Sequence, residues 1–336
     1  MNNLAFGIDL GTSNIRIYNS VDDNIMMEKN MIAIENKRTI FAYGDSAFEM
    51  YEKAPGNIHI SYPLSNGVIA DINNMEIIIK YFVTSLLNGN IKPADYYIAV
   101  PTDVTEVEKR AFYDLIKESN VKAKKIMVVE KAIADGLGMD IDIKNSQGVL
   151  VVDIGFDTTE VSILSLGGIV LSRLIKTGGL KFDEAIKNAV RKEFSLFIGG
   201  KTAENVKVHL KELEEEGKNA VVYGRDIVTG LPVEREISTD IVDRALDEHF
   251  DAIIDNIKVI LERTPPELSA DIYRHGIYLT GGGSMVNKLA ERIANGTGLK
   301  VNLAESPQSS VALGLAKIIK DDNFKSVAYS IEGMGK

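Results

Sequence analysis

"VVDIGFDTTEVSIL" (residues 151–164) decides the fold, because it holds two apolar strands and the tight turn between them. The first apolar run leads into Asp153 and Gly155, and a second run follows the turn. Glycine permits a tight turn whose backbone N–H groups can hold an anion. Yet this turn also carries Phe156 and Asp157, a bulky ring and a negative charge, where that geometry favours a phosphate.

The stretch "FGIDLGTSNIRIY" (residues 6–18) repeats this pattern about 144 positions earlier, roughly the length of one domain. The spacing predicts a duplicated architecture in which each half supplies one hairpin to a shared cleft. In the first copy Gly11 permits the turn, and Thr12, Ser13 and Asn14 offer backbone N–H groups and short polar side chains to a polyphosphate.

Each hairpin also carries one carboxylate just before its turn. Asp9 and Asp153 are therefore candidates to hold Mg²⁺ through water, the usual mode for a cation that dehydrates reluctantly. The alternative is that each copy is an ordinary polar turn. Two copies at domain spacing, with a further Gly-rich turn in "LTGGGSM" (residues 279–285), favour a binding site.

Composition narrows the function classes. The 336 residues include no Cys and only four His, which argues against disulfides, thiolate zinc sites and His-rich metal sites. A formal net charge of −10 argues against nucleic acid as a partner, because phosphate binding needs a concentrated basic face. No secretory signal and no bilayer-spanning apolar run is evident, so we expect a soluble, cytoplasmic protein.

Strand-like and helix-like segments alternate along the chain, which predicts an α/β fold with a mixed sheet in each half. Thr105 and Glu108 form a capping box at the start of one predicted helix. A long amphipathic helix is predicted after Ser238, with an inward stripe of Val242, Leu246, Phe250, Ile253, Ile257 and Leu261.

Together these segments resemble the MreB family of bacterial actins, within the actin–Hsp70–sugar kinase superfamily. The likeness covers nearly the whole chain. It is carried by residues 62–82, 99–111, 164–173, 194–207, 223–232, 264–299 and 304–317.

The resemblance implies an actin-like, ribonuclease H-like duplicated α/β fold, with two lobes of two subdomains each around a nucleotide cleft. The expected subdomains are IA (1–31, 73–145 and 316–336), IB (32–72), IIA (146–185 and 247–315) and IIB (186–246). It further implies ATP or ADP with Mg²⁺ in the cleft, and polymerisation into filaments that govern cell shape, with motility as a further possible role. A small-molecule kinase of the same superfamily is the alternative.

Several segments are expected to bind the cofactor. Glu204 and Lys207, three positions apart on one helix, also allow the plainer interpretation of a surface ion pair. The predicted cofactor-binding residues are Gly11, Thr12, Ser13, Asn14, Gly155, Phe156, Asp157, Thr158, Gly178, Gly179, Asp183, Glu204, Asn205, Val206, Lys207, Gly281, Gly282, Gly283 and Ser284.

Two departures from the family pattern bear on catalysis. The family reads Asp-Ile-Gly-Gly-Gly-Thr-Thr-Glu at the second hairpin, where this chain has Phe156 and Asp157 for the last two glycines. The family also has Glu-Glu-Pro before a helix, the second Glu orienting the attacking water. Here Lys131 stands at that position, and Glu130 is a poor substitute because neighbouring helical positions point about 100° apart.

An ammonium donates hydrogen bonds but accepts none, so Lys131 cannot orient the water. We therefore expect an actin-type ATPase that is strongly impaired, with Thr158 as a further candidate catalytic residue. Because Lys131 and Asp157 both map to the γ-phosphate end of the cleft, we hypothesise that they are a compensating pair that keeps the local charge near its usual value.

The expected partner is a second copy of this chain, with MreB paralogues as further candidates. The loop that corresponds to a membrane-binding loop in the family, residues 88–97, offers only Ile91, so membrane association is an open alternative that no feature favours. The segment "NFKSVAYSIEGMGK" (residues 323–336) is interpreted as a loose tail.

Overall fold

Strands and helices alternate through the computed structural model of the chain, which describes residues 4–332. The strands of the first half are β1 (Ala5–Leu10), β2 (Asn14–Asn19), β3 (Asn24–Lys29), β4 (Ile32–Glu35), β5 (Thr39–Tyr43), β6 (Ile58–Ser61), β7 (Leu64–Ser65), β8 (Val68–Ile69), β9 (Ala94–Val100) and β10 (Ala123–Glu130). Its helices are α1 (Gly44–Met50), α2 (Ile72–Leu86), α3 (Glu106–Glu118) and α4 (Lys131–Gly138).

The second half follows the same alternation. Its strands are β11 (Val149–Ile154), β12 (Thr159–Ser165), β13 (Gly168–Ile175), β14 (Leu196–Phe197), β15 (Ala220–Asp226), β16 (Pro232–Ile237), β17 (Ile277–Thr280) and β18 (Val301–Leu303). Its helices are α5 (Gly179–Phe194), α6 (Gly200–Glu215), α7 (Thr239–Arg263), α8 (Pro266–His275), α9 (Leu289–Thr297) and α10 (Ser310–Lys320), with 3₁₀ turns at Gly282–Met285 and Asp322–Val327.

The main sheets of the two halves share one topology. In the first, the order is β10-β9-β1-β2-β3, with β1, β9 and β10 parallel and the β1-β2-β3 ribbon antiparallel. In the second, the order is β13-β12-β11-β17-β18, with β11, β17 and β18 parallel and β11-β12-β13 antiparallel. The predicted duplication and the mixed sheet in each half are confirmed.

Local sequence sets the helix boundaries as predicted. The Thr105 hydroxyl accepts the backbone N–H of Glu108 at the start of α3, and the Glu108 carboxylate accepts the backbone N–H of Thr105. Ser238 caps α7, whose predicted apolar stripe is buried except for Leu261, which packs partly buried against the core. Caps and helical periodicity are therefore sufficient to define these two helices.

Smaller sheets stand beside the main ones. One has the order β5-β4-β6, another β14-β15-β16, and β7 and β8 form a two-stranded hairpin. Each of the four larger sheets lies within one predicted subdomain, whose boundaries stay a prediction. Helices α2, α5, α7 and α10 each run across one of those predicted boundaries.

The two lobes meet where α4 and α10 cross between the main sheets. A buried apolar cluster there joins β9, β10 and α4 to β11 and α10. The helices approach so closely that a Cβ on Gly314 would overlap the carbonyl oxygen of Ala134, and one on Gly138 would overlap that of Ser310. Only glycine fits at these two crossing points.

The C-terminal segment departs from the loose tail that the sequence predicts. Tyr329 exchanges backbone hydrogen bonds with Val128 of β10, and Ile331 is buried. Residues 323–332 are therefore attached to the first lobe, and residues 333–336 lie outside the described part of the chain. Within residues 4–332, no helix has the length and apolar character to cross a membrane.

The helix crossing yields a stability prediction. Gly314→Ala places a methyl group against the Ala134 carbonyl, so we expect it to lower the free energy of unfolding by about 1–3 kcal/mol or more. The matched control is Gly56→Ala, because no atom of residues 4–332 lies within 4 Å of a Cβ built there. Urea unfolding of both variants tests this, and equal stabilities would contradict it.

Candidate functional site

A cavity of about 260 Å³ lies between the lobes, where the two hairpins face each other. Gly11 and Gly155 open matching turns, since each donates its backbone N–H to the carbonyl oxygen three residues later, at 3.0 Å for Asn14 and 2.8 Å for Thr158. A Cβ at Gly11 would lie 2.7 Å from that same Asn14 oxygen. The turns predicted from sequence are therefore both present and both face the cleft.

Beneath the turns, the hairpin register places charged side chains opposite one another. Asp9 pairs across strands with Arg16, and a guanidinium nitrogen lies 3.6 Å from the Asp9 carboxylate. Asp153 pairs in the same register with Glu160, a second carboxylate. All four of these side chains are buried. The first hairpin is thus internally balanced in charge, and the second is not.

Lys131 supplies the positive charge that the second hairpin lacks. Its Nζ lies 2.6 Å from Oδ2 of Asp153, and its side chain is 22% exposed. Burial lowers the pKa of Lys131, but the negative charges of Asp153, Asp9 and Asp135 outweigh burial and raise that pKa above its usual value. Lys131 is therefore a firmly protonated ammonium at the floor of the cleft.

The other acids of the cleft floor hold their protons more tightly than usual. Burial raises the pKa of Glu160 to about 7, against the opposing charge of Lys131. Burial also raises the pKa of Asp135 well above its usual value, and the charge of Asp153 adds to the shift. For Asp9, burial raises the pKa while Lys131 and Arg16 oppose the increase. Little net negative charge is thus left uncompensated.

Lys131 and Asp157, predicted to compensate each other in charge, do not contact each other, because Lys131 binds Asp153 instead. The Asp157 carboxylate accepts the backbone N–H of Asn66, at the tip of the β7–β8 hairpin. Beside it, the Phe156 ring packs against Tyr62, with ring centroids 5.7 Å apart. The two residues that replace glycines therefore connect the second hairpin to the first lobe across the cleft.

Glu130 faces away from the cleft, as its position beside Lys131 predicts. Its Oε1 accepts a hydrogen bond from Lys109 Nζ at 2.8 Å and another from the Tyr329 hydroxyl at 2.8 Å. Lys131 begins α4, where the positive end of the helix dipole disfavours a cation. The lysine is held there by the carboxylates of the cleft, against that local preference.

The Gly-rich turn after β17 closes the cleft from the second lobe. Gly281 has φ +84°, and a Cβ on it would overlap Oδ1 of Asp153. A Cβ on Gly283 would lie 2.6 Å from Ile154 Cγ2. Glycine is required here because the turn backbone rests directly on β11.

Helices α5 and α6 contribute a buried ion pair at the cleft wall. Lys207 Nζ lies 2.7 Å from Asp183, and it also donates to the Gly179 carbonyl at 3.2 Å. Burial raises the pKa of Asp183 to about 6, against the charge of Lys207. The plainer interpretation of a surface pair between Glu204 and Lys207 is therefore wrong.

Most of the predicted site residues line this cavity. Those that do are Asp9, Gly11, Thr12, Ser13, Asn14, Lys131, Asp153, Gly155, Phe156, Asp157, Thr158, Gly179, Glu204, Lys207, Gly281, Gly282 and Gly283. Five predicted residues lie outside its lining. Gly178, Asp183 and Ser284 support the wall from behind, Val206 belongs to the apolar core, and the Asn205 side chain is exposed.

Sequence reasoning missed three charged residues of the lining, which are Arg16, Asp135 and Glu160. Two of them, Arg16 and Glu160, could have been predicted from the pairing of residues across a hairpin. A tight hairpin with Asp153 before its turn places Glu160 directly opposite, as Arg16 stands opposite Asp9. Asp135 follows Lys131 by four residues, which is the spacing of neighbours on a helix face.

Comparison with known proteins gives a consistent result. A family model described as MreB/Mbl protein matches residues 3–326. The chain is 37% identical over 312 residues to the cell shape-determining protein Mbl of Bacillus subtilis, covering 92% of this chain and 93% of that protein. It is 34% identical over 324 residues to the cell shape-determining protein MreB of Escherichia coli, covering 93% and 92%.

Solved structures agree with the sequence relatives. Crystal structures of MreB5 of Spiroplasma citri, bound to ADP and to AMPPNP, superpose with TM-scores of 0.88 and 0.89 at 33% identity. Each comparison covers 97% of this chain and 98% of that one. The actin-like fold predicted from the sequence is confirmed.

The contact between Asp157 and Asn66 yields a prediction on cleft opening. A hydrogen bond to a charged group contributes about 1.5–3 kcal/mol, so Asp157→Ser should speed amide exchange of Asn66 by about tenfold or more. Serine is the matched replacement, because Ser13 holds the equivalent place in the first hairpin. Asp226→Ser is the control, since Asp226 accepts backbone N–H groups only within its own turn. Unchanged exchange at Asn66 would refute the inter-lobe contact.

The buried acid Glu160 yields a prediction on pH. Its pKa rises from 4.5 to about 7 on folding, so the folded chain binds the proton more tightly and stability falls as the pH rises between those values. Glu160→Gln should remove this loss, which is on the order of 3 kcal/mol. Urea unfolding on both sides of the window measures it. The exposed Glu118→Gln is the control, and an equal effect of both substitutions would contradict the assignment.

Proposed function

The chain belongs to the MreB/Mbl family, and from that premise we propose that it is an actin-like cytoskeletal protein of the cytoplasm. It binds ATP or ADP in the cleft between its lobes. It assembles with further copies of itself into filaments that govern cell shape. Family membership gives no support to the alternative of a small-molecule kinase.

The observation that carries the proposal is the pair of matching hairpin turns on one cavity. Their glycines let backbone N–H groups approach an anion closely, and one turn comes from each lobe. A polyphosphate between them would contact both lobes at once. The S. citri relative bound to ADP and to AMPPNP supports a nucleotide as that anion.

Each segment of the cleft has a role in this proposal. The turns at 11–14 and 155–158 hold the phosphates, and the turn at 281–284 lets the flat part of the nucleotide approach the backbone. Glu204 and Lys207 line the opposite wall. Gly178 and Asp183 hold that wall in place, since Gly178 packs on the second hairpin and Asp183 fixes Lys207.

Mg²⁺, expected between Asp9 and Asp153 through water, fits this donor set poorly. Asp153 is already neutralised by the Lys131 ammonium at 2.6 Å, and its other oxygen faces the backbone of Gly281. Asp9 is already paired with Arg16. A hydrated divalent cation would have to displace Lys131 or accept its repulsion.

ATP hydrolysis is proposed to be very slow. Lys131 stands where the water-orienting glutamate is expected, and an ammonium has no acceptor for the water. Glu130 is engaged with Lys109 and Tyr329, away from the cleft. Loss of a positioned acid–base group typically lowers the rate by roughly 10²- to 10⁴-fold.

Pelleting and phosphate release, measured together on the purified chain, test the proposal. We expect the chain to pellet with ATP and with a non-hydrolysable analogue to the same extent. We expect phosphate release to be slower by about 10²-fold or more than that of a family member with the glutamate. Absence of pelleting under all nucleotide conditions would overturn the filament proposal. Brisk phosphate release would overturn the proposed role of Lys131.

A further inference from the structure

The two hairpins of the cleft differ in how their buried carboxylates are balanced. In the first, Arg16 stands opposite Asp9 within the hairpin itself. In the second, Glu160 stands opposite Asp153 and adds to the negative charge. The second hairpin therefore needs a cation from elsewhere in the fold, and the structure shows which one it takes.

That cation is the ammonium of Lys131, which reaches the cleft floor from the start of α4. Among residues 4–332 its one ion-pair partner is Asp153, at 2.6 Å. An ammonium carries three N–H donors, so the others stay available to a ligand. Lys131 lines the cavity and its side chain is 22% exposed, which allows those donors to reach phosphate oxygens.

The charges already present beside Asp9 and Asp153 disfavour a divalent cation there. Asp9 and Asp153 are each already matched by a cationic side chain, Arg16 and Lys131 respectively. A divalent cation beside Asp153 would meet the charge of Lys131 at short range. At the effective dielectric constant of a protein site, such like-charge repulsion disfavours the divalent cation.

We propose that the Lys131 ammonium takes the place of the divalent cation and supplies positive charge there, so that this chain binds the polyphosphate of ATP or ADP without Mg²⁺. The proposal rests on the function proposed above, because it concerns how the same cleft holds its nucleotide. It adds a distinct claim, that the cation of the site is part of the polypeptide. Lys131 thus bridges Asp153 and the phosphates.

The direct test is a titration of the wild-type chain with ATP and with ADP, in excess EDTA and in excess Mg²⁺, by calorimetry. For each nucleotide, we expect the dissociation constants in EDTA and in Mg²⁺ to agree within about threefold, which corresponds to less than 1 kcal/mol. Binding that weakens by about tenfold or more in EDTA would overturn the proposal. Absence of nucleotide binding in both buffers would instead overturn the proposed function.

Variants of Lys131 that lack its positive charge should depend on Mg²⁺ for nucleotide binding. Lys131→Met removes the charge at similar length, so nucleotide affinity in EDTA should fall by about tenfold or more and recover on addition of Mg²⁺. Lys131→Glu should make Mg²⁺ a requirement, and Lys131→Arg should keep binding independent of the metal. Lys109→Met is the matched control, because Lys109 is a similarly buried lysine bound to Glu130 outside the cleft. If Lys131→Met and Lys109→Met behave alike, the proposal is wrong.

A measurement without nucleotide keeps the two proposals separable. Mg²⁺ alone should raise the melting temperature of Lys131→Glu and Lys131→Met, whose carboxylates lack their cation, and should leave the wild type unchanged. An increase in the wild type as large as in the variants would show that Mg²⁺ and Lys131 coexist, which overturns the inference. This outcome does not depend on whether the chain binds ATP.

Discussion

The crossing of α4 and α10 is the constraint on which the rest of the structure depends. The two helices touch backbone to backbone at Gly138 and Gly314, between the main sheets of the two lobes. This contact positions α4, whose first residue is Lys131, between the two main sheets. A larger residue at either glycine would separate the helices and move the lysine away from Asp153. The position of the key charge is thus set by packing some distance from the charge itself.

The cleft floor shows tertiary electrostatics overriding local preference. A lysine in the first turn of a helix opposes the helix dipole, and its burial opposes its charge. Both penalties are outweighed because Asp153, Asp9 and Asp135 converge on the same point. Removing either partner of such a pair leaves an uncompensated buried charge, which is more harmful than never having the pair. Loss of Lys131 alone would therefore leave the Asp153 carboxylate without its cation.

Features that depend on neighbours in the chain were predictable from the sequence, and contacts between distant segments were not. The hairpins, the capping box of α3 and the stripe of α7 follow from residues within a few positions of one another. The hydrogen bond from Asn66 to Asp157 joins residues 91 positions apart. The ion pair of Lys207 with Asp183 joins two helices, α6 and α5. Opposite charges that map to one end of the cleft suggested a Lys131–Asp157 pair, but a sequence gives no distance between two charges. The resemblance to bacterial actins located the cleft, but only the coordinates show which acid Lys131 contacts.

One residue change, from glutamate to lysine at position 131, would account for both proposed properties of this cleft, which are slow hydrolysis and nucleotide binding without Mg²⁺. Replacing a water-orienting glutamate by lysine removes the acceptor for the water and, in the same step, introduces a cation beside Asp153. On the two proposals made above, a site altered in this way would lose the means to activate water and would no longer need a metal to balance its carboxylates. Phe156 and Asp157 fit the same interpretation, because they connect the second hairpin to Tyr62 and Asn66 of the first lobe. Under these proposals the nucleotide would act as a persistent bridge between the lobes, and opening of the cleft, in place of chemistry, would govern its turnover.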